Sequence, residues 1–359
     1  MEKDGADMPF RSIPFLYNTI LKLLSPARLW PSFIMERSAA TFECGTTCSS
    51  WNHRRQRMAT GSIDGFLRIF DSVDDTSSSS FTCTSKIKVL DMQIRKIIWV
   101  PPEYGDAVAC IFIDGTVSLC EETADGPMHP QWKNCKSFKC GGAEALDAQF
   151  GASKDSLKMV VACSDGHLEV YDLLDPFDLK NWQLQARFHN IIDPVSMVGK
   201  AACFSATVSW NPQVDETQEP SFVAGFNSDI PQINSAKIWV LDQAHQRWIT
   251  VAELASHSDK GDGVFSVSWA PNIGRQTSLF MPFFCTFFLQ QFVKHGNTKM
   301  ASVPVPETAL CRAHHGWVLE MEWDMGGMTL ATTGTDGVVR LWQSNLSCSW
   351  KQEAILVLA

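Results

Sequence analysis

Short runs of alternating apolar and polar residues recur along the chain, and six of them end on an aromatic. They read TTCSSW ending at Trp51, RKIIW at Trp99, LDAQF at Phe150, ATVSW at Trp210, VFSVSW at Trp269 and LEMEW at Trp323. Alternation with period two, held over roughly four to eight residues, places successive side chains on opposite faces of a half-buried strand. Each run therefore predicts one strand, and spacings of 48, 51, 60, 59 and 54 residues between the aromatics predict a repeat.

A second pattern follows the first: an apolar strand, an Asp-Gly pair, then alternating apolar residues. The copies are ATGSIDGFLRIFD with Asp64 and Gly65, ACIFIDGTVSLCEE with Asp114 and Gly115, ACSDGHLEVYD with Asp165 and Gly166, and ATTGTDGVVRLWQ with Asp336 and Gly337. Asp-Gly between alternating runs predicts a hairpin turn, because Gly takes the positive φ and Asp bonds the local backbone. A metal-carboxylate reading is open to a single Asp-Gly, but four copies at matched positions favour the turn. The fourth repeat is stretched (AGFNSDIPQINSAKIWVLD), and the fifth has no Asp-Gly copy.

A small sheet repeated in this way cannot bury its own faces and must stack radially on its neighbours. The expected fold is all-β, a WD-repeat β-propeller of six blades, near 39–72, 92–122, 141–173, 200–243, 261–305 and 311–344 within residues 35–350. Polar stretches between the repeats, notably Asp71–Ser80 (DSVDDTSSSS), are expected to be solvated tips; the serines are also candidates for phosphorylation.

Composition narrows the function. The 359 residues carry a formal net charge of −9, which speaks against a surface that tracks nucleic-acid phosphates. The densest basic group, His53, Arg54, Arg55 and Arg57, is expected in a solvated turn. The twelve cysteines are irregularly spaced, and Cys110, Cys120 and Cys163 fall inside apolar strands, so reduced buried thiols are expected. The closest pairs, Cys44 with Cys48 and Cys135 with Cys140, lack the second pair a zinc site needs. The apolar start is broken by Pro14, Lys22, Pro26 and Arg28, which makes a poor signal peptide. The run Leu279 to Val293 falls short of the roughly 20 apolar residues of a spanning helix, so no membrane insertion is expected. No phosphate loop, nucleophile elbow or H-E-x-x-H appears, and SDKGDGV at Ser258–Val264 is a Gly-rich loop. The expectation is an interaction protein, not an enzyme, without cofactor or metal.

Several segments in this order and spacing, PPEYGDAVAC at Pro101–Cys110, LKNWQLQ at Leu179–Gln185, SWNPQ at Ser209–Gln213, WAPNIGR at Trp269–Arg275 and the closing MEWDMGGMTLATTGTDGVVRLWQSN, resemble the Seh-type nucleoporins in a plant-like form. The resemblance covers about residues 39–275 and 311–350. It implies a subunit of the Y-shaped scaffold complex of the nuclear pore, at the nuclear envelope and supporting transport of protein and mRNA. It also implies an open six-bladed ring closed by a blade that a partner scaffold nucleoporin donates in trans. A second role in a nutrient-sensing complex of target-of-rapamycin signalling, in the cytoplasm or at the vacuolar or lysosomal surface, is implied too. Vesicle-coat propellers of endoplasmic reticulum export and ubiquitin-ligase substrate receptors are the rival readings. In WD repeats generally a loop His, the turn Asp and a terminal Trp form a stiffening network, which the last repeat matches with His314, Asp336 and Trp342; Cys120 replaces the aromatic in the second. An open ring places its seam near Thr41, Phe42, Thr46, Trp51 and Trp323. Two departures from the pattern remain: residues 1–34 have no counterpart, with Met35 resembling a normal start, and the Phe-rich segment 276–305 is expected to remove the outer hairpin of blade five.

Overall fold

The computed structural model describes residues 43–357 apart from 55, 76–77, 124–130, 142, 153–155, 191–201, 213–218, 231–232, 255–262, 272–277, 284–289, 296–298, 305–313, 315–317, 325–326 and 345–349. Thr41, Phe42 and the 1–34 segment lie outside these residues.

Six four-stranded antiparallel sheets follow one another along the chain. Blade one is β1 (Thr46–Trp51), β2 (Arg57–Ser62), β3 (Phe66–Asp75) and β4 (Ser78–Lys88). Blade two is β5 (Ile94–Trp99), β6 (Ala107–Phe112), β7 (Thr116–Thr123) and β8 (Gln131–Lys139). Blade three is β9 (Ala145–Ala152), β10 (Leu157–Cys163), β11 (His167–Leu173) and β12 (Trp182–His189). Blade four is β13 (Cys203–Trp210), β14 (Ser221–Ser228), β15 (Ala236–Asp242) and β16 (Arg247–Leu254). Blade five is β17 (Ser266–Trp269), β18 (Ser278–Phe283), β19 (Gln290–His295) and β20 (Lys299–Pro304). Blade six is β21 (Val318–Trp323), β22 (Thr329–Gly334), β23 (Val338–Ser344) and β24 (Trp350–Val357). In blades one to four the fourth strand occupies a segment expected to connect blades, and β24 lies past the expected end of the last blade. The outermost strand meets water along much of its length, so a sequence such as QWKNCKSFK in β8 needs little apolar alternation. The DSVDDTSSSS run is likewise ribbon: β3 and β4 pair as far out as Asp75 with Ser78.

Each Asp-Gly pair closes the hairpin between second and third strands. Gly65, Gly115, Gly166 and Gly337 have φ of 77°, 80°, 81° and 68°. Their N–H groups donate to the carbonyls three residues back, on Ser62, Phe112, Cys163 and Gly334. The turn is thus a type I turn with a left-handed glycine after it, which suits the twist of the hairpin. Asp114, Asp165 and Asp336 accept from the backbone N–H two residues on, at 3.0, 3.2 and 3.3 Å. In blade four, where Asp-Gly is missing, buried Asn234 holds the wider turn by accepting from Ser228 N–H at 2.6 Å and donating to its carbonyl at 3.0 Å.

Aliphatic and aromatic residues fill the spaces between blades. Ala59, Leu67 and Ile69 of blade one join Ile97, Trp99, Val108 and Phe112 of blade two, and similar clusters join blades two to three, three to four and four to five. Arg57, expected to be solvated, staples the first junction. It donates to Asp71 at 2.6 Å and, bidentately, to Glu122 of β7 at 2.6 and 2.8 Å. His53 and Arg54 are exposed as expected.

The expected loss of the outer hairpin of blade five is corrected. β18 pairs with β17, β19 with β18 and β20 with β19. The segment QTSLFMPFF…QQFVKH…KMASVP is apolar and β-prone enough to supply three strands. The disruption survives as short ladders: β18 and β19 share three pairs, Ser278 to Phe280. Pro282, which has no N–H to donate, lies beyond that ladder, where β18 pairs with β17 alone.

Candidate interaction surface

The inner strands pack in series, β1 on β5, β5 on β9, β9 on β13, β13 on β17 and β17 on β21. Among the described residues no comparable packing joins β21 to β1, and every blade takes its four strands from one continuous segment. Among the described residues the ends of the ring are therefore not latched by an exchanged strand.

Cross-strand register shows which face each end blade turns to this seam, since directly paired residues lie on one face. In blade one Trp51 pairs with Met58 and Met58 with Phe70, while Ser49, Thr60 and Arg68 align beside them. The other face, with Ala59, Leu67 and Ile69, is the one packed on blade two. The seam face is thus that of Trp51. The counterparts Trp99, Phe150, Trp210, Trp269 and Trp323 each pack back on the preceding blade and are no more than 7% exposed. Trp51 alone of the six is only half-buried, its ring edge-on to Phe81 at 5.1 Å. Thr46 caps the start of β1, its hydroxyl donating to the Glu43 carbonyl at 2.9 Å.

Trp323 is a correction. It pairs with Leu330, and Leu330 with Trp342, so these three lie on the face toward blade five. The seam side of blade six instead presents Glu322, Ala331 and Leu341 in one row and Glu320, Thr333 and Val339 in the next. Leu341 is half-buried, whereas its counterparts Ile69 and Leu119 are 1% and 0% exposed.

Blade six is stiffened by a polar network. Trp342 Nε1 donates to Thr332 Oγ1 at 3.0 Å, and Thr332 Oγ1 lies 2.9 Å from His314 Nε2. His314 Nδ1 is 2.9 Å from Asp336 Oδ1, and Arg340 Nη1 donates to Asp336 Oδ2 at 2.9 Å. Arg340 Nη1 also lies 2.7 Å from His314 Nδ1, so the imidazole is held between β22, the turn and β23. The structure thus brings His314, Asp336 and Trp342 together and adds Thr332 and Arg340, which sequence reasoning missed. Position four after the turn Asp is polar and buried in the other blades with this turn: Arg68, Ser118 and Glu169. Lys237 occupies the same place two residues before Trp239, and burial holds its pKa down, opposed by Glu253. Each has a local partner, as where Tyr171 Oη donates to Glu169 at 2.6 Å. In blade one Arg68 donates to Glu43, Ser62 donates to Asp64, and Phe70 stands where blade six has Trp342.

Among the described residues no three His, Cys, Asp or Glu side chains could hold a metal ion, and no helix is long and apolar enough to cross a membrane. Burial pushes the thiols of Cys48, Cys135 and Cys140 up to about 12.

Blades closed by Asp-Gly turns, the last of them tied by a His–Thr–Asp–Trp network, define a WD40-repeat propeller. The WD40 family, described as WD domain, G-beta repeat, matches residues 38–71 and 306–343, the blades on either side of the seam. A chain in a crystal structure of the mitotic checkpoint complex shares the fold, with a TM-score of 0.55, 15% identity, and 85% of this chain and 76% of that one covered. Protein SEH1 of Arabidopsis thaliana is 51% identical over 322 residues, covering 90% of this chain and 98% of the relative. Nucleoporin SEH1-A of Xenopus laevis is 25% identical and nucleoporin SEH1 of Homo sapiens 24%, each over 86% of this chain and 84% of the relative. The chain belongs to the SEH1 family of nucleoporins.

Proposed function

We propose that this chain is a scaffold subunit of the nuclear pore complex, held there by a partner nucleoporin that inserts a blade between blades six and one. Through that scaffold it supports transport of protein and mRNA. The observation that carries the reading is the seam: Trp51 is the one blade-ending aromatic of six that is not buried, and among the described residues no exchanged strand latches the ring. A ring whose two end blades share no strand can part there and admit a blade from another chain, whose inner strand meets the free edges of the neighbouring inner strands. Nothing in the fold asks for catalysis; the work is to hold neighbours in place.

Affinity purification of the tagged chain tests this. Recovery of Y-complex nucleoporins with wild type, and their loss with Trp51→Asp while the melting temperature holds, supports the reading. Recovery of vesicle-coat or ubiquitin-ligase subunits alone overturns it. The same eluate reads the nutrient-sensing role, which rests on the resemblance alone.

A further inference from the structure

At two of the junctions the inner strands are tied to one another by the same side-chain pattern, whereas at the junction of blades two and three Lys96 and Ile98 take the corresponding positions and Lys96 donates to Asp147 instead. Asp147 Oδ2, three residues before Phe150, accepts from Val208 N–H of the next inner strand at 2.8 Å. Gln149 Oε1, one residue before Phe150, accepts from Trp210 N–H at 2.5 Å. One blade further on, Thr207 Oγ1 takes Val267 N–H at 3.2 Å and Ser209 Oγ takes Trp269 N–H at 2.8 Å. In both junctions, acceptors at minus three and minus one hold main-chain N–H groups at minus two and zero of the following blade. These acceptors lie on the forward face, as the pairings of Gln149 with Val160 and Ser209 with Val223 show. An inner strand has one ladder partner only, so its other edge needs such acceptors.

On β21 the equivalent positions are Glu320 and Glu322, and register puts both on the seam face. From this, resting on the trans-closure reading above, we infer that Glu320 and Glu322 hold the inner strand of the donated blade by accepting two of its main-chain N–H groups, at alternate residues. A strand with proline at either position cannot dock there. Two carboxylates stand where those two junctions use a carboxylate with an amide or two hydroxyls, so the donated strand brings a Lys or Arg beside them. Glu320 meets the water of the central channel, yet the strands around it strip much of its hydration and push its carboxyl up; Lys96 of β5 opposes this and Asp147 of β9 adds to it. N–H donors favour the ionised form, so docking tightens as Glu320 loses its proton.

The competing occupant is the chain's own β1, which the same carboxylates would hold in a ring closed on itself. The experiment uses the full chain and the nucleoporin recovered with it. Glu320→Ala and Glu322→Ala are each expected to weaken that complex about tenfold with the melting temperature of the free chain unchanged. Glu320→Gln and Glu322→Gln, which keep an acceptor oxygen, are expected to restore most of the affinity, and Glu320→Gln to flatten its dependence on pH. Amide exchange of the partner strand in the wild-type complex gives a reading free of any folding defect: two alternate protected N–H groups against β21 are expected. Unchanged affinity in the alanine variants, a melting temperature that falls in the free chain, or an unprotected partner strand each overturn the inference. If wild type recovers no blade donor at all, it is the trans-closure reading that fails.

Discussion

Replacing His314 by alanine removes a side chain that joins β22 and the β22–β23 turn of blade six to its entering loop. The imidazole is fully buried and lies 2.9 Å from both Thr332 Oγ1 and Asp336 Oδ1, with Arg340 Nη1 2.7 Å from its Nδ1. Trp342 still reaches Thr332, and Arg340 still reaches Asp336, so neither partner is stripped bare. Two lost bonds at about 1 kcal/mol each, one of them to a carboxylate, plus a cavity the size of a ring, come to about 3 kcal/mol. For a chain of 359 residues that is roughly 4 °C in melting temperature. Differential scanning calorimetry is the assay, with Thr332→Val as a second probe that strands His314 Nε2 and Trp342 Nε1 while keeping the shape. His189→Ala is the control, a partly exposed imidazole outside such a network. A His314→Ala shift no larger than that of the control would refute the claim that the network, rather than apolar packing, stiffens blade six.

Glycine turns separate conformation from space. Gly337 has open room for a Cβ, so Gly337→Ala is expected to cost only the strain of positive φ, about 1–2 kcal/mol; at Gly65 the Cβ would sit 1.8 Å from the Leu90 carbonyl oxygen, and urea melts should show a loss at least twice as large. Arg57→Ala cuts the clamp on Asp71 and Glu122 between blades one and two, and a loss of about 2 kcal/mol by the same melts is expected; an Arg57→Lys variant should recover less than half, because lysine cannot grip Glu122 bidentately. The buried thiols give a pH dependence. Cys48, Cys135 and Cys140 are raised from 9.0 to about 12 in the fold, so above pH 9 the unfolded chain releases protons that the folded one keeps. Their stabilising contribution is full below 9 and is lost toward 12, at up to about 1.4 kcal/mol per pH unit for each thiol; a Cys48→Ser, Cys135→Ser, Cys140→Ser chain should show a shallower alkaline decline by circular dichroism.

Legibility in the sequence followed exposure. In blades one to four and six the second and third strands are buried on both sides or bounded by Asp-Gly, and there the alternation or the turn glycine could be read directly, as in ATTGTDGVVRLWQ. The fourth strands could not: β8 is QWKNCKSFK, polar because it lies at the rim, and its pairing comes from β7 rather than from its own pattern. Blade five misled for the opposite reason, since a Phe-rich run without a turn signal still pairs when a neighbouring strand offers an edge. Trp323 was placed at the seam by its position in the chain, but one residue decides which face a strand side chain takes, and only the pairing with Leu330 and Trp342 turns it toward blade five. Thr332, Arg340 and Arg57 went unread because their partners are distant in sequence or on another strand; the signal available was the polar residue four after each turn Asp, repeated where an apolar one is expected. The same lesson bears on Glu320 and Glu322. Alone they are two acids on a strand, and they acquire meaning only from Asp147, Gln149, Thr207 and Ser209, which show what that strand position does when a following blade is present.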